Sequence, residues 1–178
     1  MRISRYFLFL ALLWAFNLSA QEIVVGSGLS IGIDSGLVVN VSGKLQMTST
    51  LRNDGMLTFM DTLMVSTYRG DGSLIAGGAD QHIYLNGDTV AILDATGGLK
   101  VLHGNLTVDS LFLSSASIVT DTNRLLITGA IEGFGTDSYI IGALARTGSD
   151  SLVYPIGDAT TYTPVILSSI SGTSPVIA

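Results

Sequence analysis

Gly98-Leu-Lys-Val-Leu-His103-Gly104-Asn-Leu-Thr-Val108 decides the fold class. Short apolar runs alternate with polar residues, and a glycine or asparagine breaks each run. An alternation of period two gives a strand one buried and one solvated face. The same texture recurs in Gly36-Leu-Val-Val-Asn-Val-Ser-Gly43, Asp54-Gly-Met-Leu-Thr-Phe-Met60 and Asn123-Arg-Leu-Leu-Ile-Thr-Gly129. Valine, isoleucine and threonine suit pleated, half-buried surfaces. No apolar stripe of helical period follows the first twenty residues. The chain is therefore all-β.

Turn signals punctuate these runs at Ser42-Gly43, Asn53-Asp54-Gly55, Gly70-Asp71-Gly72, Asn86-Gly87, Gly97-Gly98 and Asp121-Thr-Asn123. Asn-Gly and Asp-Gly ordinarily favour antiparallel hairpins, which keeps a β-sandwich as the alternative. Against that, the strands are very short and leucine recurs in near-periodic steps. Such steps suit coils of roughly 20 residues stacked along one axis, each burying its apolar face on its neighbour. A right-handed parallel β-solenoid of about six such coils is expected over Gln21–Gly142.

Composition limits the partners. The 178 residues carry 14 acidic and 8 basic side chains, a net charge of −6. This balance repels nucleic-acid phosphates and anionic lipid. Cysteine is absent, which removes disulfides, thiolate metal ligands and a cysteine nucleophile. Residues 1–20 read as a signal peptide. Arg2 and Arg5 lead, eleven apolar residues follow from Tyr6 to Phe16, and cleavage is expected between Ala20 and Gln21. Eleven helical residues rise about 16 Å, too short to cross a bilayer. The protein is expected to be exported, with no transmembrane helix in the mature chain.

Near Ile140 the texture changes. Tyr139, Tyr154 and Tyr162 cluster, and Pro155, Pro164 and Pro175 are the only prolines. Proline avoids sheet interiors, so residues 143–178 are expected to be a partial antiparallel module. The sequence stops at Ser174-Pro-Val-Ile-Ala178, and a continuation past Ala178 is expected.

Gly72-Ser-Leu-Ile-Ala-Gly-Gly-Ala-Asp-Gln-His-Ile83 and Leu99–Val108, followed by Tyr139–Arg146, Leu152-Val-Tyr-Pro-Ile-Gly157 and Tyr162-Thr-Pro-Val-Ile-Leu167, resemble the repeat region of large surface and secreted proteins of Bacteroidetes bacteria. The resemblance spans roughly residues 28–170. It implies display at the cell surface or outside the cell through the type IX secretion route, in an adhesive or stalk role. Asp61-Thr62-Leu, Asp88-Thr89-Val, Asp109-Ser110-Leu and Asp150-Ser151-Leu look like the O-glycosylation acceptors used in those bacteria. Thr62, Thr89, Ser110 and Ser151 are thus the candidate acceptors.

Other constellations are weaker. Ile23-Val-Val-Gly26-Ser-Gly28-Leu-Ser-Ile-Gly32 imitates a dinucleotide loop, but a turn and strand follow it rather than the helix that would hold a pyrophosphate. His82 and His103, the only histidines, stand one coil apart, and zinc there would need a carboxylate such as Asp80 or Asp88. They are read as turn-edge residues, and no metal or cofactor is expected. A polysaccharide-active β-helix enzyme would need carboxylates converging with basic residues on adjacent coils. Lys44, Arg52, Arg69, Lys100, Arg124 and Arg146 are scattered. The expected protein is a noncatalytic structural or adhesin-like scaffold, whose partners would be the export machinery and glycans or other surface proteins. The alternative is a carbohydrate-binding module using the polar solenoid face or the Tyr139, Tyr154 and Tyr162 region.

Overall fold

The computed structural model describes residues 17–18, 22–170 and 176–177. The expected cleavage point at Ala20 and Gln21 lies outside them. In chain order the strands are β1 (Asn17–Leu18), β2 (Glu22–Val25), β3 (Ile31–Ile33), β4 (Val38–Val41), β5 (Lys44–Asn53), β6 (Met56–Phe59), β7 (Thr62–Arg69), β8 (Ser73–Ala76) and β9 (Gln81–Tyr84). They continue as β10 (Asp88–Leu102), β11 (Leu106–Ile127), β12 (Ile131–Glu132), β13 (Ile140–Arg146), β14 (Asp150–Tyr154), β15 (Ile156–Gly157), β16 (Val165–Ile170) and β17 (Val176–Ile177). Among the described residues there is no helix, so none long and apolar enough to cross a membrane.

The strands wind into a parallel β-solenoid of about eight turns, with a small antiparallel sheet beside it. Successive turns place like residues on top of one another. Val39, Leu57, Leu74, Leu93, Leu111 and Ile131 form one column. Ile23, Leu45, Leu63, Ile83 and Leu102 form another. The inner members of both columns are sealed from water. Each buried leucine stabilises the fold by roughly 1.5–3 kcal/mol relative to an exposed one. No single turn could bury its own apolar face, so the turns depend on one another.

The number of turns exceeds the six expected, because the coil is shorter in places than 20 residues and because winding continues beyond Gly142. Leu57 pairs with Leu74, 17 residues on, whereas Ile118 pairs with Ile140, 22 residues on. This drift makes the repeat degenerate in sequence. The Asn-Gly and Asp-Gly signals mark corners between strands that continue the same winding.

Corners are where the backbone comes closest to itself. Gly98 lies inside β10 with φ 63°, and a Cβ there would collide with the carbonyl of Ala79 in the turn below. Only glycine meets both demands. Buried polar side chains answer the carbonyls that a corner leaves outside the ladder. Asn53 Nδ2 donates to Tyr68 Oη and to the Ser73 carbonyl, both at 2.9 Å. Gln81 Nε2 donates to the Phe59 carbonyl at 2.8 Å and its Oε1 accepts from the Gly78 amide at 3.0 Å.

The domain boundary placed after Gly142 falls inside a strand. β13 pairs in parallel with β11 on both sides of that point, from Ile140 to Arg146, and β15 then pairs in parallel with β13. The antiparallel element is narrower: β14 leaves the axis and pairs with β16. Pro155 and Pro164, two of the prolines that suggested a new module, serve as corner residues, and Pro175 lies outside the described residues. Pro155 joins β14 to β15, and its carbonyl accepts from the Ile140 amide at 2.8 Å; Pro164 immediately precedes β16. Neither position asks proline for the amide it lacks.

Candidate functional site

Two places on the outer surface gather chemistry-bearing side chains. The first is a groove of about 610 Å³ lined by Arg69, Asp71, Asp88, Thr89 and Asp109 among others. It opens where one face of the solenoid is interrupted. β7 and β10 are not hydrogen-bonded strand to strand. Instead, the Tyr68 amide donates to Asp88 Oδ1 at 3.1 Å. Strand alternation turns Val90 inward and Thr89 outward; Asp88, half-buried at the start of β10, and the exposed Asp109 also border the groove.

The groove brings three carboxylates and a guanidinium together from adjacent turns, a convergence not visible in the scattered sequence positions. Their hydrogen bonds run to neighbouring turns. Asp88 caps Tyr68, with burial pushing its carboxyl above the usual range against the opposing pull of that amide and of Arg69. Its Oδ2 is buried with no protein partner. Asp109 Oδ1 accepts from Thr128 Oγ1 at 3.1 Å, and the Asp71 amide donates to Asp54 Oδ1 at 3.4 Å. Asp54 Oδ2 in turn meets Arg52 Nη2 at 2.5 Å. The same habit continues elsewhere: Asp80 accepts from the Leu99 amide and Asn105 from the Arg124 amide. No group of three or more histidine, cysteine or acidic residues placed to hold a metal ion occurs among the described residues.

The second place is the outer side of β9 and the corner after β10. His82 and His103, read from the sequence as turn-edge residues one coil apart, meet there. His82 Nδ1 and His103 Nε2 are 2.8 Å apart, and both side chains are exposed. The Tyr84 ring stacks on the His103 imidazole, 4.1 Å between centroids and 7° from parallel. Burial against this stack, then the neighbouring His82, lowers the His103 pKa, while Asp121 pulls the other way. Asp80 and Asp88 do not join the pair: Asp80 caps Leu99 and Asp88 lies in the groove.

The tyrosine region is not a platform of exposed rings. Tyr154 is fully buried and Tyr139 is 7% exposed. Tyr139 and Tyr162 are tilted by 41°, and Tyr139 Oη donates to the Asp158 carbonyl at 2.9 Å. These side chains pack the C-terminal turns. Gly26 to Gly32 form the turn between β2 and β3 and the start of β3, with no helix after them. Among the candidate acceptors, Thr89 and Ser151 are exposed, while Thr62 and Ser110 are half-buried.

Lys100 was legible only as one of six scattered cations, yet it is fully buried. Its Nζ donates to the carbonyls of Gly78, Ala79 and Gly97 at the corner. Burial lowers its pKa to about 8, opposed by Asp80. A signal was present: Lys100 has the same strand parity as Leu102, which faces the core. Arg146 is used in a similar way, donating from Nη1 to the Val153 carbonyl at 2.7 Å and from Nη2 to the Gly129 carbonyl at 3.0 Å.

No family model, no curated protein and no solved structure matches this chain.

Proposed function

We propose that this protein is a noncatalytic, exported scaffold or stalk that acts at a bacterial cell surface. The observation that carries this reading is the use of its polar side chains. Lys100, Arg146, Asn53, Gln81, Asp80, Asp88 and Asn105 all bind backbone groups of neighbouring turns. Side chains that could have carried chemistry hold the coil together. Hydrogen bonds running from turn to turn, with continuous apolar columns inside, resist bending and stretching along the axis. The resemblance to Bacteroidetes surface proteins and the leader-like residues 1–20 support export by the type IX route and an adhesive setting.

Protease shaving of intact cells, followed by mass spectrometry of the released and retained fractions, tests the location. The scaffold reading expects the protein in the shaved or medium fraction. Retention within the cell would overturn it. Incubating the purified chain with a panel of bacterial and plant polysaccharides tests the noncatalytic part. Unchanged chain length of every polysaccharide is expected, and cleavage abolished by Asp88→Asn would overturn that part.

Glycosylation belongs to the same reading. The triplets beginning at Asp61, Asp88 and Asp109 put an apolar third residue, Leu63, Val90 or Leu111, into the core. Strand alternation then turns the middle hydroxyl residue outward. Exposure ranks Thr89 and Ser151 ahead of Thr62 and Ser110 as acceptors. Peptide mapping of the native protein should find hexose-bearing peptides at Thr89 or Ser151, and an unmodified intact mass would rule the modification out.

A further inference from the structure

We propose that His82 and His103 form a binding site for a late first-row divalent metal ion, copper(II) above all, on the outer face of the solenoid. The two imidazole nitrogens that face each other, Nδ1 of His82 and Nε2 of His103, are 2.8 Å apart. With metal–nitrogen bonds of about 2.0 Å, two ligands at a right angle stand about 2.8 Å apart, whereas tetrahedral ligands stand about 3.3 Å apart. The spacing matches adjacent positions of a square-planar or tetragonal ion, the geometry of copper(II) and nickel(II). The ring centroids, 5.0 Å apart, leave the nitrogens facing each other, so the exposed His82 ring turns to aim its lone pair at the ion. Copper(II) also heads the affinity order for nitrogen ligands.

Placement favours an ion over a merely packed pair. Both rings are exposed, so the remaining coordination positions are open to water or to a further ligand. The rings come from two different turns, and the fold fixes their approach: β9 and the end of β10 are paired from Gln81–Lys100 to Ile83–Leu102. The Tyr84 ring stacked on His103 holds that imidazole in its plane. Asp121 lies within electrostatic range of His103, and the chain carries a net charge of −6, both favourable to a cation. When the ion enters the neutral pair no proton is lost: the proton between the facing nitrogens moves to the far nitrogen of its own ring, so that the ion meets two unprotonated nitrogens and the rings carry their protons on His82 Nε2 and His103 Nδ1. The site is independent of the scaffold reading, since it would stand whether or not the protein is exported.

The test is a titration of the untagged chain with copper(II), followed by visible absorption, electron paramagnetic resonance and calorimetry. The expected result is saturation at one copper per chain, with hyperfine structure from two imidazole nitrogens. His82→Asn and His103→Asn should each weaken binding at least tenfold and leave the circular dichroism unchanged, because both side chains are at the surface. Tyr84→Leu should weaken it by a smaller factor by freeing the His103 ring. Nickel(II) should bind at the same place and more weakly. Absence of stoichiometric binding would overturn the proposal. So would binding that survives both histidine substitutions, which would place the copper at the chain's amino terminus or elsewhere.

Discussion

The middle of the solenoid and its C-terminal end solve the same problem in different ways. From β7 to β11 every strand lies between parallel neighbours, and the apolar columns run through without interruption. At the C-terminal end β14 and β16 pair antiparallel with each other around β15, which still pairs in parallel with β13, and the outer face leaves Ile166 65% exposed. The central corners rely on glycine and on buried donors such as Lys100 and Gln81. The C-terminal corners rely on Pro155, Pro164 and the Asp158 loop, where Asp158 Oδ1 accepts from the Thr160 and Thr161 amides at 2.7 and 2.8 Å. The C-terminal corners also receive groups from the turn beside them, the Ile140 amide on the Pro155 carbonyl and Tyr139 Oη on the Asp158 carbonyl. What separates the two regions is strand direction: parallel pairing continues the column, and antiparallel pairing leaves it.

The largest effect that distinguishes the two regions comes from the core column. Leu93 sits fully buried between Leu74 and Leu111. Leu93→Ala should cost about 2–5 kcal/mol in a urea unfolding experiment. Ile166→Ala should change stability by less than about 0.5 kcal/mol. Equal losses would remove the distinction between the regions.

A second pair separates strain from simple loss of freedom. Gly98→Ala must place a methyl group against the Ala79 carbonyl at a positive φ, whereas Gly87, at φ 79°, has open space around it. Gly98→Ala should therefore cost roughly 1–3 kcal/mol, at the level of a strained backbone residue. Gly87→Ala should cost about 1 kcal/mol. Thermal melts of both variants check the order, and a reversal would show that close approach does not govern the corner.

Much of this architecture was legible in the sequence. Period-two alternation revealed the strands, and the short glycine-broken runs at Gly98–Val108 favoured stacked coils over hairpins. The end of the winding was not legible, because the tyrosines and prolines after Ile140 carry the same composition signal whether they close corners or begin a module. Lys100 was hidden for a related reason. A lysine in an alternating run reads as solvated, and only the carbonyls of Gly78 and Ala79 in the turn below, with that of Gly97 in its own strand, make its burial tolerable. The groove and the histidine pair depend on register. A spacing of 21 residues between His82 and His103 does not say whether the coil between them is one turn long until the pairing of β9 with β10 is known.

Lys100 also predicts a pH dependence confined to the centre. Its folded pKa is about 8 against an ordinary 10.5. Between those values the unfolded chain holds more protons than the folded one, so stability should rise as pH climbs from about 8 toward 10. Tyr68 and Tyr154, whose phenols burial holds above 10.0, act with the opposite sign at higher pH. Urea midpoints measured from pH 7.5 to 9.5 should increase, and Lys100→Met should abolish that increase. A midpoint that stays flat in the parent chain would contradict the buried role of Lys100.

The smallest effect concerns the Asp158 loop. Hydrogen bonds from Thr160, through its amide and hydroxyl, and from the Thr161 amide hold the Asp158 carboxyl below its usual range. Its contribution is present at neutral pH and fades as pH falls below about 4. Asp158→Asn should leave the global melting temperature nearly unchanged and flatten only the acid response of backbone signals around residues 156–163.

Residue-resolved amide hydrogen exchange on the whole chain tests the central claim, that one parallel coil extends past Gly142 and carries the antiparallel pair as an excursion. A continuous coil gives a single slow block that includes β9 to β11 and the β13 amides from Ile140 to Arg146, with β14 and β16 exchanging sooner. If residues 143–146 instead exchange together with β14 and β16, apart from β11, the solenoid ends at Gly142 and the account is wrong.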